Sequence, residues 1–565
     1  MEDFSNKVVY QIYPKSFRDT NKDGVGDIPG VIEKLDYLQS LGVDYLWLTP
    51  FFSSPQRDNG YDVADYRKIN PLFGTMEDLE ELIRESKARG MGLMLDMVFN
   101  HTSTRHEWFR KALAGDEKYQ KYYIFKDGAP DQAPTNWQSK FGGSAWEYVP
   151  TLRKWYLRLY DVMQADLNWD NPEVREELKD ILRFWKRKGI RAFRFDVINL
   201  VSKPEQMVDD FEGDGRRFYS DGPHIHEYLK ELVKDAGIED FITVGEMSST
   251  SLEHCIRYSS PKEKELSMCF NFHHLKVDYK NGDKWALMPV DYKKLKELFT
   301  EWQIGMQEGG GWNALFWCNH DQPRIVSRMG DEGVYWKESA KMLAGMIHFM
   351  RGTPYIYQGE EIGMLNAHYP SIEQYRDVES LNYYQILLKK GETEREALET
   401  LAARSRDNSR TPMQWNTEKY GGFSEVEPWL PVSAKFREEI TVEAQQKDED
   451  SILAFYKRLI AMRKTYPVIA KGEIAFLETG TDMVLAYRRT LGRQQIVVFC
   501  NLDGKKQSVK LAGEWRGYRV MMENYKGRQL KEKSTLEEKS ALEEMDAIEY
   551  VMEPYEFIVL GNIED

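Results

Sequence analysis

The chain of 565 residues has few cysteines and no long apolar run. Its four cysteines, Cys255, Cys269, Cys318 and Cys500, form no CxxC or Cys/His spacing, so we expect no zinc site and a reducing compartment. No apolar run approaches the roughly 18 residues that span a bilayer, and the first residues have no basic segment followed by an apolar one. We therefore expect a cytoplasmic protein without a membrane partner.

Positive charge is also in short supply. Asp and Glu number 92 against 77 Lys and Arg, which gives a formal net charge of −15. A nucleic-acid surface needs clustered cations to neutralise phosphates, so we expect no nucleic-acid partner. A local basic pocket for one small anion is still compatible with this charge. As a separate expectation, the protein is a monomer.

Short apolar runs alternate with amphipathic helical segments as far as about residue 475. Strands separated by helices predict a parallel sheet, and about eight such units would close a (β/α)₈ TIM barrel, an α/β fold. Asp170 and Asn171 as possible caps and Pro172 in the first turn predict the start of one such helix, and the cations before Gly189 predict its end. Another helix is predicted over Ile28–Ser40. The predicted strands are Val8–Tyr13, Asp44–Leu48, Gly92–Phe99, Ile190–Leu200, Phe241–Gly245, Ala314–Cys318 and Thr353–Tyr357.

Two regions interrupt this alternation. Residues 101–169 are rich in Trp, Tyr, Gly and Asp, which predicts a small domain inserted after strand 3 of a barrel formed by residues 1–100 and 170–475. Residues 476–565 predict a C-terminal antiparallel β-sandwich domain, with a charged loop over 528–547. Its predicted strands are Met483–Arg489, Gln495–Asn501, Gln507–Leu511 and Ile548–Val551.

Ionisable residues mark the ends of several predicted strands. Arg194 and Asp196 stand at i and i+2, on one face of a strand, and Glu246 ends the next strand. Asp96 with Asn100-His101, and Asn319-His320-Asp321, end two others. In a barrel these ends meet at the rim that carries active sites. Each group alone also fits a structural ion pair or a buried core histidine.

Three carboxylates with histidines favour glycoside hydrolysis, which needs one carboxylate as nucleophile and one carboxylic acid as proton donor. The segments Asp96–His101, Phe193–Val197, Val244–Met247 and Asn319–Asp321 resemble the signature blocks of the α-amylase glycoside hydrolase family. That resemblance implies Asp196 as nucleophile, Glu246 as acid/base and Asp321 as transition-state stabiliser.

The same resemblance implies a site for the terminal glucose unit, the −1 subsite. Asp58 and Arg406 would pair to close it, which makes an exo-acting pocket. The other residues implied to contact the sugar are Tyr61, His101, Gln164, Arg194 and His320.

A cation loop is predicted near the N-terminus. Oxygen ligands occur at every second residue, as in Ca²⁺ loops, from the side chains of Asp19, Asn21, Asp23 and Asp27 and the backbone of Val25. Position 12 is Gly30 instead of Glu, so this is not a complete EF-hand, and an ordinary polar turn is the alternative. We expect a structural Ca²⁺ and no catalytic cofactor.

Within the family, Gln164–Asn168 and Val197 resemble the oligo-1,6-glucosidase subgroup, and Phe272–Tyr279 resembles its members that cleave trehalose 6-phosphate. A phosphorylated disaccharide needs cations beside the leaving group, and we expect His273, His274, Lys276 and Lys284 to bind the phosphate. A solvated helix or loop face is the alternative for these four residues. The rival functions are an oligo-1,6-glucosidase, a sucrose isomerase and a non-catalytic binding subunit.

Overall fold

The computed structural model describes residues 3–512, 515, 517–528 and 547–563. The predicted charged loop over 528–547 lies outside this part of the chain except for its two end residues. Within the described residues, no helix combines the length and the apolar character needed to cross a bilayer.

The strands of the described residues number 22. In chain order they are β1 Val9–Ile12, β2 Tyr45–Leu48, β3 Phe52–Ser53, β4 Asp65–Ile69, β5 Gly92–Met97, β6 His101–Ser103, β7 Phe125–Asp127, β8 Trp146–Val149, β9 Lys154–Leu157, β10 Gln164–Asp166, β11 Ala192–Phe195, β12 Ile242–Glu246, β13 Met268–Phe270, β14 Ala314–Leu315, β15 Thr353–Tyr357, β16 Glu473–Leu477, β17 Val484–Leu491, β18 Gln494–Asn501, β19 Gln507–Ala512, β20 Arg519–Glu523, β21 Ala547–Met552 and β22 Phe557–Gly561.

The α-helices of the same residues are α1 Ile28–Glu33, α2 Leu35–Leu41, α3 Met76–Ala88, α4 Glu107–Leu113, α5 Glu117–Gln120, α6 Pro172–Arg187, α7 Arg216–Tyr219, α8 Ile225–Asp235, α9 Leu252–Ser259, α10 Tyr292–Gly309, α11 Ile325–Met329, α12 Trp336–His348, α13 Val378–Lys389, α14 Glu394–Arg404, α15 Asp407–Arg410, α16 Val442–Gln446, α17 Ile452–Thr465 and α18 Pro467–Lys471. Short 3₁₀ turns span Pro14–Ser16, Ile198–Leu200, His273–Leu275, Lys280–Gly282, Glu360–Ile362, Ile372–Gln374 and Lys419–Gly422.

Eight parallel strands form the central sheet, in the order β13-β12-β11-β5-β2-β1-β15-β14. A parallel bridge between Cys269 and Asn313 joins the two end strands, so the sheet closes into a barrel. Each neighbour in space is the next barrel strand in the chain, which is the arrangement of a TIM barrel. The predicted fold class is therefore confirmed.

Local details differ from the prediction. The predicted strands do not include the short barrel strand β13, Met268–Phe270. The predicted helix over Ile28–Ser40 is two helices, which meet at Lys34. The helix α6 begins after its cap Asn171, whose side chain accepts a hydrogen bond from the backbone of Glu173, and it ends before Lys188, as expected.

The interrupting regions have their own sheets. Between β5 and β11, strands β7, β9 and β8 form an antiparallel sheet, and β6 pairs with β10. At the C-terminus, strands β16-β17-β18-β22-β20 form a five-stranded antiparallel sheet, and β19 pairs with β21. Val509 and Tyr550 of that pair share one apolar cluster with Val484 and Val497 of the larger sheet. The domain boundaries at residues 100, 169 and 475 remain a prediction.

Candidate active site

Three adjacent barrel strands, β5, β11 and β12, bring the central ionisable residues together. Arg194 of β11 lies in register with Asp96 of β5, and Glu246 is the last residue of β12. Asp196 directly follows β11, and its backbone N–H donates to the carbonyl of Met97 at 3.0 Å. Because parallel strands end at the same rim, these side chains project into one space.

The buried Arg194 guanidinium contacts three carboxylates. Its Nη1 donates to Asp96 Oδ1 at 2.7 Å and to Asp196 Oδ1 at 2.6 Å, and its Nη2 contacts Glu246 Oε2. Asp96 also accepts hydrogen bonds from Trp47 Nε1 at 3.1 Å and from the Tyr61 hydroxyl at 2.9 Å. The two candidate catalytic carboxylates, Asp196 and Glu246, therefore share one cation and one cavity.

A cavity of about 250 Å³ lies above this guanidinium. Ten of the residues predicted for the site line it: Asp58, Tyr61, His101, Gln164, Asp196, Glu246, Lys276, Lys284, Asp321 and Arg406. Arg194 and His320 lie behind this lining. The His320 ring stacks on Tyr61 with the ring centroids 5.0 Å apart, and burial lowers the pKa of His320 to about 3, which keeps it neutral.

A network of ion pairs closes one side of the cavity. Arg406 Nη2 donates to Asp58 Oδ1 at 2.9 Å and to Asp377 Oδ1 at 2.6 Å. Arg410 Nη2 donates to Asp321 Oδ1 at 2.6 Å. Burial alone would raise the pKa of Asp321, but the positive charges of Arg406 and Arg410 outweigh burial and hold that pKa far below its usual range. Asp321 is therefore ionised.

Two residues of the inserted region complete this side. The Gln164 amide, at the start of β10, donates to Asp58 Oδ2 at 3.0 Å and to the Tyr61 carbonyl at 3.2 Å. His101 Nε2 lies 3.0 Å from the same carbonyl. Polar groups from the barrel and from the insertion thus converge on the space beside Asp196.

The structure corrects one part of the predicted phosphate site, because neither His273 nor His274 lines the cavity. His273 stacks on Trp302, and His274 Nε2 lies 2.9 Å from the carbonyl of Phe316. Burial lowers the pKa of each to about 4, so both are neutral near pH 7. The 3₁₀ turn over His273–Leu275 directs their side chains into the packing around α10, which the sequence pattern did not reveal.

The other two predicted cations do reach the cavity, and a third joins them. Lys276 is exposed at its edge, whereas Lys284 is paired with Glu379 at 2.7 Å. Lys140 of the inserted region also lines the cavity, and its Nζ donates to Ser248 Oγ at 3.0 Å. Sequence reasoning missed Lys140 and Asp377, because both lie in irregular segments where spacing carries no signal.

A strained residue follows Asp196. Val197 has φ of 36° and ψ of 40°, in the left-handed region that β-branched residues rarely adopt. Its side chain packs in an apolar cluster with Trp137, Trp146 and Leu157 of the inserted region and with Tyr219. Packing from the insertion therefore holds the backbone beside Asp196 in a costly conformation.

The predicted cation loop has the right donor chemistry for Ca²⁺, with carboxylate, amide and carbonyl oxygens. Asp19 and Asp27 are buried and accept hydrogen bonds from the loop itself, for example from Lys22 N to Asp19 at 2.8 Å. Among the described residues, no group of three or more His, Cys, Asp or Glu side chains is arranged to hold a metal ion. The Ca²⁺ remains a prediction.

Comparison with known proteins gives consistent matches. Residues 11–472 match the model of the alpha amylase catalytic domain. The chain is 51% identical over 537 residues to a trehalose-6-phosphate hydrolase of Bacillus subtilis, covering 94% of this chain and 95% of that protein. It is 44% identical to an oligo-1,6-glucosidase of Parageobacillus thermoglucosidasius, covering 93% and 96%. The crystal structure of Bacillus licheniformis trehalose-6-phosphate hydrolase superposes with a TM-score of 0.91, at 50% identity over 99% of each chain.

Proposed function

The chain belongs to the α-amylase family of glycoside hydrolases, and on that premise we propose that it hydrolyses trehalose 6-phosphate to glucose and glucose 6-phosphate. The chemistry is supported above all by the contact of Arg194 with both Asp196 and Glu246 at one cavity. The substrate is supported by the relatives of about 50% identity and by the lysines around the same cavity.

In the first step, Asp196 attacks the anomeric carbon while Glu246 donates a proton to the bridging oxygen. Arg194 Nη1 donates to Asp196 Oδ1 at 2.6 Å, and this contact orients the carboxylate for the attack. Glucose 6-phosphate leaves with that proton, and a covalent glucosyl ester forms on Asp196.

In the second step, Glu246 takes a proton from water, and the water oxygen replaces Asp196 at the anomeric carbon. Two inversions leave the α configuration unchanged. The ionised Asp321 stands where it stabilises positive charge on the ring as each transition state forms. Gln164, Asp58 and Arg406 bind the hydroxyls of the terminal glucose and make the pocket exo-acting.

A substrate panel tests this proposal with purified protein: trehalose 6-phosphate, trehalose, isomaltose, sucrose and an aryl α-glucoside. We expect the highest kcat/KM for trehalose 6-phosphate and α-glucose as the first-formed anomer by NMR. A higher kcat/KM for isomaltose would instead support the oligo-1,6-glucosidase, the second candidate suggested by relatives of 44% identity.

We also propose a cytoplasmic location. All four cysteines are buried and unpaired, which is typical of a reducing compartment. The monomeric state remains a prediction, and light scattering on purified protein would test it.

A further inference from the structure

Of the three lysines that line the cavity, Lys140 is the most buried that forms no ion pair with a carboxylate among the described residues. Lys284 is already paired with Glu379, and Lys276 is exposed to solvent, which screens its charge. Lys140 is half-buried, and among the described residues no carboxylate forms an ion pair with it. A charge removed from water without a partner is costly, which favours a ligand that supplies the missing anion.

The position of Lys140 is fixed on both sides. Its backbone N–H donates to the carbonyl of Leu159 at 2.9 Å, within a turn closed by a bond between Ser139 N and the Gly143 carbonyl at 2.8 Å. The next residue, Phe141, lies under the Arg406 guanidinium at 4.7 Å from the ring centroid. This turn therefore fixes the point at which the ammonium enters the cavity. The ammonium is also bonded to Ser248, which follows Glu246 by two positions in the chain.

We infer, on the basis of the proposed function, that Lys140 is the residue that selects a phosphorylated leaving group, and that it takes up one proton when the phosphate binds. In the free pocket Lys140 is partly a neutral amine. The phosphate dianion draws one proton from solvent onto this amine, and the resulting ammonium donates to the phosphate oxygens.

The surroundings of Lys140 support this behaviour. Burial, followed by the charges of Arg216 and Lys276, lowers the pKa of Lys140 to about 7. Asp214 and Asp166 act in the opposite direction, but their charges are too weak to restore the usual pKa of Lys140. The ring of Tyr219 lies 5.8 Å away and adds only a weak attraction for the cation. A bound phosphate dianion adds negative charge beside Lys140 and therefore raises the pKa of Lys140.

Proton uptake by Lys140 makes the affinity for the phosphorylated sugar depend on pH. Above about pH 7 the phosphate is already dianionic in solution. Any proton taken up on binding is therefore bound by the protein and not by the phosphate. As the pH rises further, the free pocket holds more neutral Lys140, and each binding event must supply a proton. The affinity for the phosphorylated sugar therefore falls by up to about tenfold per pH unit above pH 7.

Glucose 6-phosphate, used as a competitive inhibitor of aryl α-glucoside hydrolysis, tests the inference. We expect its inhibition constant to rise between pH 7 and pH 9 in the wild type. Calorimetry of its binding at pH 8, in two buffers of different ionisation enthalpy, should show uptake of about one proton. In Lys140→Arg, which stays charged, the rise should flatten and the uptake should disappear.

Lys140→Met should lower kcat/KM for trehalose 6-phosphate about 10- to 100-fold more than for the aryl α-glucoside. Lys87→Met, on the exposed surface of α3, is the matched control and should alter neither value. An unchanged ratio in Lys140→Met, or no proton uptake in the wild type, overturns the inference. No wild-type turnover of trehalose 6-phosphate would instead reject the proposed function.

Discussion

The two sides of the cavity hold charge in different ways. On the side proposed for the terminal glucose, Arg406 and Arg410 pair with Asp58, Asp377 and Asp321, so both guanidinium groups have carboxylate partners before any ligand arrives. On the leaving-group side, Lys140 and Lys276 have no carboxylate partner among the described residues. A neutral glucose needs fixed hydrogen bonds, whereas a phosphate needs unpaired cations, and the contrast matches one to each side.

The largest expected effect removes the chemistry that both sides serve. Asp196→Asn should lower kcat about 10⁴-fold or more on trehalose 6-phosphate and on an aryl α-glucoside alike. Asp131→Asn, at an exposed carboxylate of the inserted region, is the control. Turnover of either substrate above trace level in clean Asp196→Asn protein would refute the role of this residue.

The next effect breaks the neutralised side. Arg406→Met leaves Asp58 buried without its guanidinium partner and leaves Asp377 with only the longer contact to Arg410 at 3.5 Å, which should lower the free energy of unfolding by about 3–5 kcal/mol. Denaturant titration measures this loss, and kcat/KM should fall for both substrates. Adding Asp58→Asn to the variant should restore part of the stability. A loss below about 1 kcal/mol would show that the network is not structurally important.

A smaller effect separates the two kinds of residue predicted for the leaving-group side. Lys276→Met should raise KM for trehalose 6-phosphate about 3- to 10-fold and change KM for an aryl α-glucoside much less. His273→Gln should leave the ratio of the two KM values within about twofold, because His273 is neutral and stacks on Trp302. Equal losses on both substrates in Lys276→Met would reject its phosphate role.

The smallest effect lies outside both sides. If the loop over residues 19–27 holds a structural Ca²⁺, chelation should lower Tm by about 2–4 °C without changing the ratio of kcat/KM for the two substrates. The Asp23→Ala variant should have the lower Tm of the chelated wild type both with chelator and with added Ca²⁺. A Tm that is the same with chelator and with added Ca²⁺ would exclude the ion.

The barrel half of the site could be predicted from sequence because strands impose simple rules. Arg194 and Asp196 alternate on one face, and residues that end parallel strands meet at one rim, so long-range contacts followed from local patterns. Irregular segments impose no such rule. The turn at His273, the approach of Lys140 and the pairing of Asp377 with Arg406 depend on tertiary packing that no spacing encodes.

The left-handed backbone at Val197 has a consequence for redesign. Val197 packs in a cluster with aromatic residues of the insertion, and the proposed nucleophile Asp196 is its immediate neighbour in the chain. With the roles proposed for Asp196 and Lys140, the insertion influences both the reaction rate and the choice of leaving group. Anyone who reshapes it to accept a new aglycone should expect the rate on every substrate to change with it.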